Sequence, residues 1–539
     1  MSLSGQRLTR STRRARWHAG LTAVAALALA SRSLAAQRDW SPDERVVLGD
    51  VTRVNAVAAS MDRVFMVTPD AVLAYDPLGR RWEGPYTPRD PGLLRDVIGV
   101  LADPLDNSLW LIRRTGWIRF DPGISLWEQG FVAGAVTDAA LDQNSPASGL
   151  FLRTSVGWYT ALRGGAAVPS AAPARPLRPG TVDQAIRDNP AIQANSAGLL
   201  FAARFRNIRY TSAARAGGFA GQGWYLGTNG AGLVYFPDGA GLPQPLTFGL
   251  PGDAVDAVFR GTGGIWAVTE RTVAADPALS FVAQDLNDFR WYQGPRASGL
   301  PFGQARRVVG MGSALWLATD VGVIRITPKD QEVERFDAGR GLPDSRVVDL
   351  AQRRGRLVAG TVHGLAEFSD STGFQRVAPD FSDVAQAVEL SGDTIWVGTR
   401  IGLFAAIPGQ ADLLQPDALG AALSLQASVL DLIWRGDTLV ALTPDRLLWR
   451  VPGSGKFTLG PILGSALGRL HTLANGKDGL FVAGDRGTGF AQLNTPVSRV
   501  LSVPGDLPGQ ITDLTADDRY LWVATLKGLV RFRLDVVGR

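Results

Sequence analysis

The sequence predicts an all-β fold, a β-propeller of about eleven four-stranded blades, and three observations predict it. The first is a repeat: a β-rich run ending in an aromatic residue, two further residues, Thr, a two-residue turn, Gly-Leu and a second short strand. It stands at 315–326, 395–404 and 521–532, around Trp316, Trp396 and Trp522. Looser copies place the equivalent residue at Phe65, Trp110, Phe151, Tyr225, Trp266, Val358, Val440 and Phe481. Setting aside one interval of 74 residues, successive copies lie about 43 residues apart, the period of a propeller blade. The second observation is a marker in fixed phase. Gly-Leu-Pro occurs at 249–251, 299–301 and 341–343, and each Leu precedes a repeat position (266, 316, 358) by sixteen residues. The third is punctuation: 63 Gly and 32 Pro in 539 residues are an excess that belongs in turns.

Within one repeat the elements follow in order. An inner strand follows Gly-Leu-Pro (346–351), a second strand ends at Trp-x-x-Thr, a tight turn leads to a third strand from Gly-Leu, and a more variable outer strand closes the unit (333–336). Pro cannot join a ladder and Gly tolerates positive φ, so both stand where the chain must turn. A single twisted sheet leaves one face uncovered, so the apolar residues of each blade must bury against the next. Trp82, Trp127 and Trp291 fall on outer strands, where burial between blades is expected.

At the N-terminus, residues 1–36 hold six arginines and no acid, then the apolar stretch 21–30 and small residues at Ser33, Ala35 and Ala36. These are the three regions of a signal peptide, with cleavage expected near Ala36 and a periplasmic or extracellular destination. Arg13-Arg14 keeps the twin-arginine route open beside the general one. No later segment could span a membrane. Residues 37–539 form the propeller. The last repeat has three strands, and residues 44–48 form a strand with no blade of its own, so the N-terminal strand is expected to complete the last blade. Eleven blades exceed the usual four to eight, which leaves two stacked rings, such as six and five, or one unusually wide ring. The long interval holds a Pro/Ala-rich insertion at about 163–196, expected to be extended and unable to form ladders, with a capped helical turn or two from Thr181.

The matched residues, above all Trp396-Val-Gly-Thr-Arg-Ile-Gly-Leu403 with Gly-Leu-Pro ahead of such cores, resemble the two-component regulator propeller repeat. The resemblance covers about residues 40–535. It implies an extracytoplasmic sensory propeller, while the kinase or transmitter part usual in that family is not in this sequence.

Composition excludes several chemistries. With the leader set aside, 49 basic residues stand against 50 acidic ones, so bulk-charge binding of nucleic acid has no support. The absence of cysteine excludes disulfides, thiolate metal sites and a cysteine nucleophile. Of three histidines, His18 lies in the leader, while His363 and His471 stand alone, so no metal site, no catalytic triad and no cofactor is expected. Gly453-Ser-Gly-Lys456 has Arg450 and Phe457 where a phosphate loop needs Gly and Ser or Thr. The Gly-rich stretch 217–223 precedes a strand rather than a helix, the wrong context for a dinucleotide.

What remains is a binding face. The turn between second and third strands carries a different polar residue in most blades, among them Arg113, Asn229, Arg271, Asp320, Arg400 and Asp485, and Asp344 stands in a Gly-Leu-Pro loop at the same end. Loops of mixed charge on a rigid scaffold are suited to a small molecule, a glycan, a peptide or an envelope protein. The alternative is a carbohydrate-active hydrolase or lyase with paired carboxylates at the channel mouth, about 5 to 9 Å apart beside arginine or tyrosine. The leading expectation is a non-enzymatic exported propeller.

Overall fold

The computed structural model describes residues 40–537, apart from 42, 89, 91, 105, 145–148, 195–208, 219–220, 240–241, 270–277, 294–303, 331, 408, 415–426 and 451–456. The leader, Arg271, the marker at 299–301 and the 453–456 motif therefore lie outside the described residues. Among those described, the chain forms eleven antiparallel sheets, numbered here I (56–86), II (97–131), III (136–177), IV (210–246), V (255–293), VI (305–336), VII (347–377), VIII (387–406), IX (431–462), X (470–502) and XI (511–533). Nine have four strands, III has five and VIII has three. The eleven repeat positions fall on the second strands of successive sheets, from Phe65 in Val64–Val67 to Trp522 in Tyr520–Thr525. Sheet XI takes its fourth strand from the other end of the chain: Arg45–Leu48 pairs with Gly528–Arg533 in the register Arg45↔Phe532 to Leu48↔Leu529. No sheet closes on itself.

The repeat motif is explained by its turn. Thr319 Oγ1 donates to Gly322 O at 2.6 Å and accepts the Val321 N–H at 3.3 Å. Thr361, Thr399 and Thr525 make the same bond to Gly364, Gly402 and Gly528. The hydroxyl thus gives a turn N–H a partner and adds a second bond to the Gly carbonyl, which at Gly402 also accepts the Thr399 N–H. Gly322 is required twice over. Its φ is +132°, and a Cβ there would stand 2.1 Å from Phe336 O, on the fourth strand. Trp316 and Trp522 are buried and each faces an Arg across the ladder, with Arg325 5.5 Å from the Trp316 ring and Arg531 5.8 Å from the Trp522 ring, whereas Trp396 faces Ala405 and has Arg450 of IX 5.0 Å from its ring. The guanidinium caps the ring while its stem covers apolar surface.

Between sheets, apolar clusters join V with VI, VI with VII, VII with VIII, VIII with IX and IX with X. The inner strands of V to XI each pack on the next, and Ile511–Ala516 of XI also packs on Val255–Gly261 of V. In the other group, I packs on II, II on III, and the inner strand of IV, Tyr210–Arg215, on that of I, Ala56–Ala59. One cluster holds residues of I, IV, V and XI together, including Met66, Tyr225, Ile265 and Trp522.

The insertion corrects its expectation. Ala167–Ser170 forms the outer strand of III, and Pro176–Leu177 pairs with the inner strand Val136–Asp142. Both segments lie at sheet edges, where a residue lacking an N–H is tolerated. Helix α1, Val182–Asp188, begins where expected, with Thr181 accepting the Gln184 N–H. Its Ala185, together with Ile192, fills the core against Trp224, Leu226 and Phe236 of IV.

Candidate functional site

The loops entering the inner strands and the second-to-third turns are bonded to one another, so they occupy one end of their sheets. Asp320 N donates to Gln304 O, Val362 N to Arg346 O, Asp485 N to Arg469 O, Leu526 N to Gln510 O and Asn229 N to Arg209 O, at 3.0 to 3.3 Å. Sheet VII shows the arrangement most fully. Asp344, in the loop, accepts the Arg346 N–H at 2.7 Å, lies 2.7 Å from Nδ1 of His363 in the turn, and takes a longer bond from Arg346 Nε at 3.4 Å. Burial alone would raise the pKa of Asp344, but these bonds outweigh it and hold it below the ordinary carboxylate value. His363, read from sequence as standing alone, is therefore paired.

The other sequence-predicted residues sit on separate sheets. Arg113, half-buried at the end of a strand of II, reaches Asp96 at 3.5 Å. Asn229, in the turn of IV, accepts the Arg209 N–H at 2.7 Å. Asp320 and Arg400 are exposed in the turns of VI and VIII, and Asp485 is exposed in that of X, near the half-buried His471. Arg113 with Asp96, Asn229 with Arg209 and His363 with Asp344 are thus each loop-to-turn contacts within one sheet, and the predicted residues are spread around the rim rather than gathered at one point.

Deeper in V to XI lies a polar hub that sequence reasoning missed. Arg307, on the inner strand of VI, donates from Nε to Asp349 of VII at 3.0 Å and from a terminal nitrogen to Asp431 of IX at 2.8 Å. The remaining oxygens are bound in a chain of cross-sheet contacts. Asp349 accepts the Val388 N–H of VIII at 2.8 Å, Asp431 the Leu473 N–H of X at 3.0 Å, and Asp513 of XI the Val258 N–H of V at 3.0 Å. Thr472 Oγ1 stands 3.2 Å from Asp431 and 3.4 Å from Asp513, although its one hydrogen serves one acceptor at a time. Asp256 of V accepts the Ala305 N–H of VI at 3.2 Å in the same manner. The signal was in the sequence: Asp recurs inside otherwise apolar inner strands, at Asp256, Asp349, Asp431 and Asp513.

The hub has more carboxylates than cations. Burial pushes Asp349 and Asp513 up to about 6 and Glu389 up to about 7, against the partial opposing pull of Arg307, whose own pKa is raised by Asp431. Carboxylates beside an arginine are the feature a glycosidase would need, but here Asp349 and Asp431 have both oxygens engaged by Arg307 and by backbone or hydroxyl donors. What the arrangement does chemically is tie inner strands together. Among the described residues there is no group of three or more His, Asp or Glu side chains placed to hold a metal ion.

No family model and no curated protein matches the chain. Solved structures do. The extracellular domain of a proposed hybrid two-component system from B. thetaiotaomicron is 13% identical, with 89% of this chain and 70% of that one covered and a TM-score of 0.42. PorZ, a surface component of the type-IX secretion system of Porphyromonas gingivalis, is 12% identical, with 92% and 73% covered and a TM-score of 0.44. Likeness this distant carries no argument about the family of the present chain or what it binds.

Proposed function

We propose that this chain is an exported, non-enzymatic β-propeller protein that binds a ligand or partner through the rim of loops containing Asp320, Asp344, Arg400 and Asp485. In this reading sheets V to XI form one seven-bladed ring, sealed where Arg45–Leu48 completes XI, and I to IV form a smaller second assembly. Seven and four replace the six and five considered from spacing alone. Packing of XI on V and the Asp513 to Val258 bond support the ring. The observation that carries the binding role is that bonded loops and turns present polar side chains of both signs at one end of a rigid set of sheets. The engaged state of the hub carboxylates favours binding over hydrolysis. Export rests on the leader, and no helix among the described residues is long and apolar enough to cross a membrane.

The test is a thermal-shift screen of residues 37–539 against glycans and peptides, with turnover assayed for every hit. Binding that Asp344→Ala or Arg400→Ala weakens about tenfold, without turnover, is the expected result. A hit that is chemically converted, or one indifferent to every rim substitution, would replace this reading.

A further inference from the structure

At the opposite end of the sheets, a cleft of about 570 Å³ opens between V and XI. One wall is the third-to-fourth turn of V, carrying Asp285, Asn287 and Asp288; the other is the first-to-second turn of XI, carrying Arg519 and Tyr520. The volume is in the range of small-molecule sites.

The walls are fixed before any ligand arrives. Leu286 adopts φ +62°, an unfavourable conformation for Leu, and is held there with its side chain buried in the apolar cluster shared by V and XI. Ala283 N donates to Asp288 O and Gln284 N to Gly263 O. Beneath them Arg531 of XI, 8% exposed, crosses to Gln284 O at 2.7 Å and lies 4.3 Å from the Tyr520 ring. Arg260 of V pairs with Asp518 of XI at 3.3 Å, bracing the same junction.

The charges left over are unlike on the two walls. Asp288 is taken by Arg290, whereas Asp285, among the described residues, accepts hydrogen bonds within its own turn, from Asn287, and lies in the field of the buried Arg531. Across the cleft the exposed Arg519 side chain has no ion pair among the described residues. With Asp288 and Arg290 neutralising each other, a polyanion would meet one guanidinium, Arg519, opposed by one carboxylate, Asp285. Each ring in the cleft already has a guanidinium on one face, Arg290 over Phe281 at 5.2 Å and Arg531 over Tyr520, which argues against a site built on sugar stacking. We propose that the cleft binds a small zwitterion of the amino-acid or dipeptide class, its carboxylate on Arg519 and its ammonium on Asp285.

Isothermal titration of residues 37–539 with glycyl-leucine, N-acetyl-glycyl-leucine and glycyl-leucinamide tests this. The free dipeptide should bind saturably, and either cap should weaken it about tenfold or more, since each removes one charge-assisted contact. Arg519→Ala and Asp285→Asn, both at exposed positions, should do the same with unchanged melting temperatures, while Lys329→Ala, in an exposed turn of VI outside both the cleft and the rim, should not. No binding at about 10 mM dipeptide, equal binding of the capped forms, or full affinity in Arg519→Ala would overturn the proposal.

Discussion

Sheets V to XI and sheets I to IV are written in the same repeat but held together differently. In V to XI, Asp side chains on inner strands accept N–H groups from neighbouring sheets, and one arginine joins VI, VII and IX. In I to IV the space beside IV is filled by Ala185 and Ile192 from the insertion, and the ionic contacts involve turns and edges: Asp138 with Arg178 at 2.9 Å is half exposed, and the exposed Arg163 of III reaches Asp106, in a turn of II, at 2.9 Å. In V to XI these polar ties are added to the apolar clusters that already join neighbouring sheets. An interval of 74 residues leaves a gap that a helix fills by apolar burial. The two groups should therefore respond to different perturbations.

The largest difference is expected from the N-terminal strand. Removing residues 37–50 exposes the third strand of XI and deletes the buried Val46 and Leu48, for a loss of about 5 kcal/mol and a melting shift of about 10 °C or more in V to XI. Differential scanning calorimetry showing an unchanged transition would mean that the strand does not hold XI in place. Next, Arg307→Leu leaves several carboxylates facing one another without their cation and should cost about 3 to 5 kcal/mol, whereas Arg178→Ala in the other group should cost about 1 kcal/mol or less. Equal effects in urea unfolding would erase the contrast between the groups.

The pH response comes third. Asp349 and Asp513 stand at about 6 when folded against an ordinary 3.8, and Glu389 at about 7 against 4.5. Stability from the protonated forms is fully present below the ordinary values and is lost as pH rises through 6 to 7. The V to XI transition should thus move upward between pH 8 and pH 5, more steeply in Arg307→Leu, and a flat or opposite trend would contradict the surplus of buried acid. The smallest effect belongs to the shared turn: Thr319→Val should cost about 1 kcal/mol, the worth of its hydroxyl bond, with the matching Thr228→Val in IV costing the same. A large disparity between these two would show that the turn is not equivalent in both groups.

Much of the fold was legible because its rules are local. The Thr319 hydroxyl, the Gly322 approach to Phe336 and the Trp316 position all act within one sheet, so the pattern that repeats in sequence repeats in space. The pairing of 45–48 with XI was also legible, from a strand without a sheet and a sheet without a strand. The insertion was misread because Pro169 and Pro176 look like ladder breakers until their edge positions are known. Of the rim, residue types and the shared end were legible; that His363 meets Asp344 was not, since it depends on how a loop and a turn nineteen residues apart come together.

The sheet, its turn positions and the number of repeats are written in the order of residues, because each follows from hydrogen bonds and burial within about 43 residues. Which sheets neighbour which, and with that the Arg307 hub and the cleft between V and XI, emerges from packing in three dimensions. Arg307 and Asp431 are 124 residues apart, and Asp513 and Val258 are 255 apart. No local preference encodes such a meeting; it arises where apolar faces bury against each other and the polar groups carried inward must find partners or lose their hydration uncompensated.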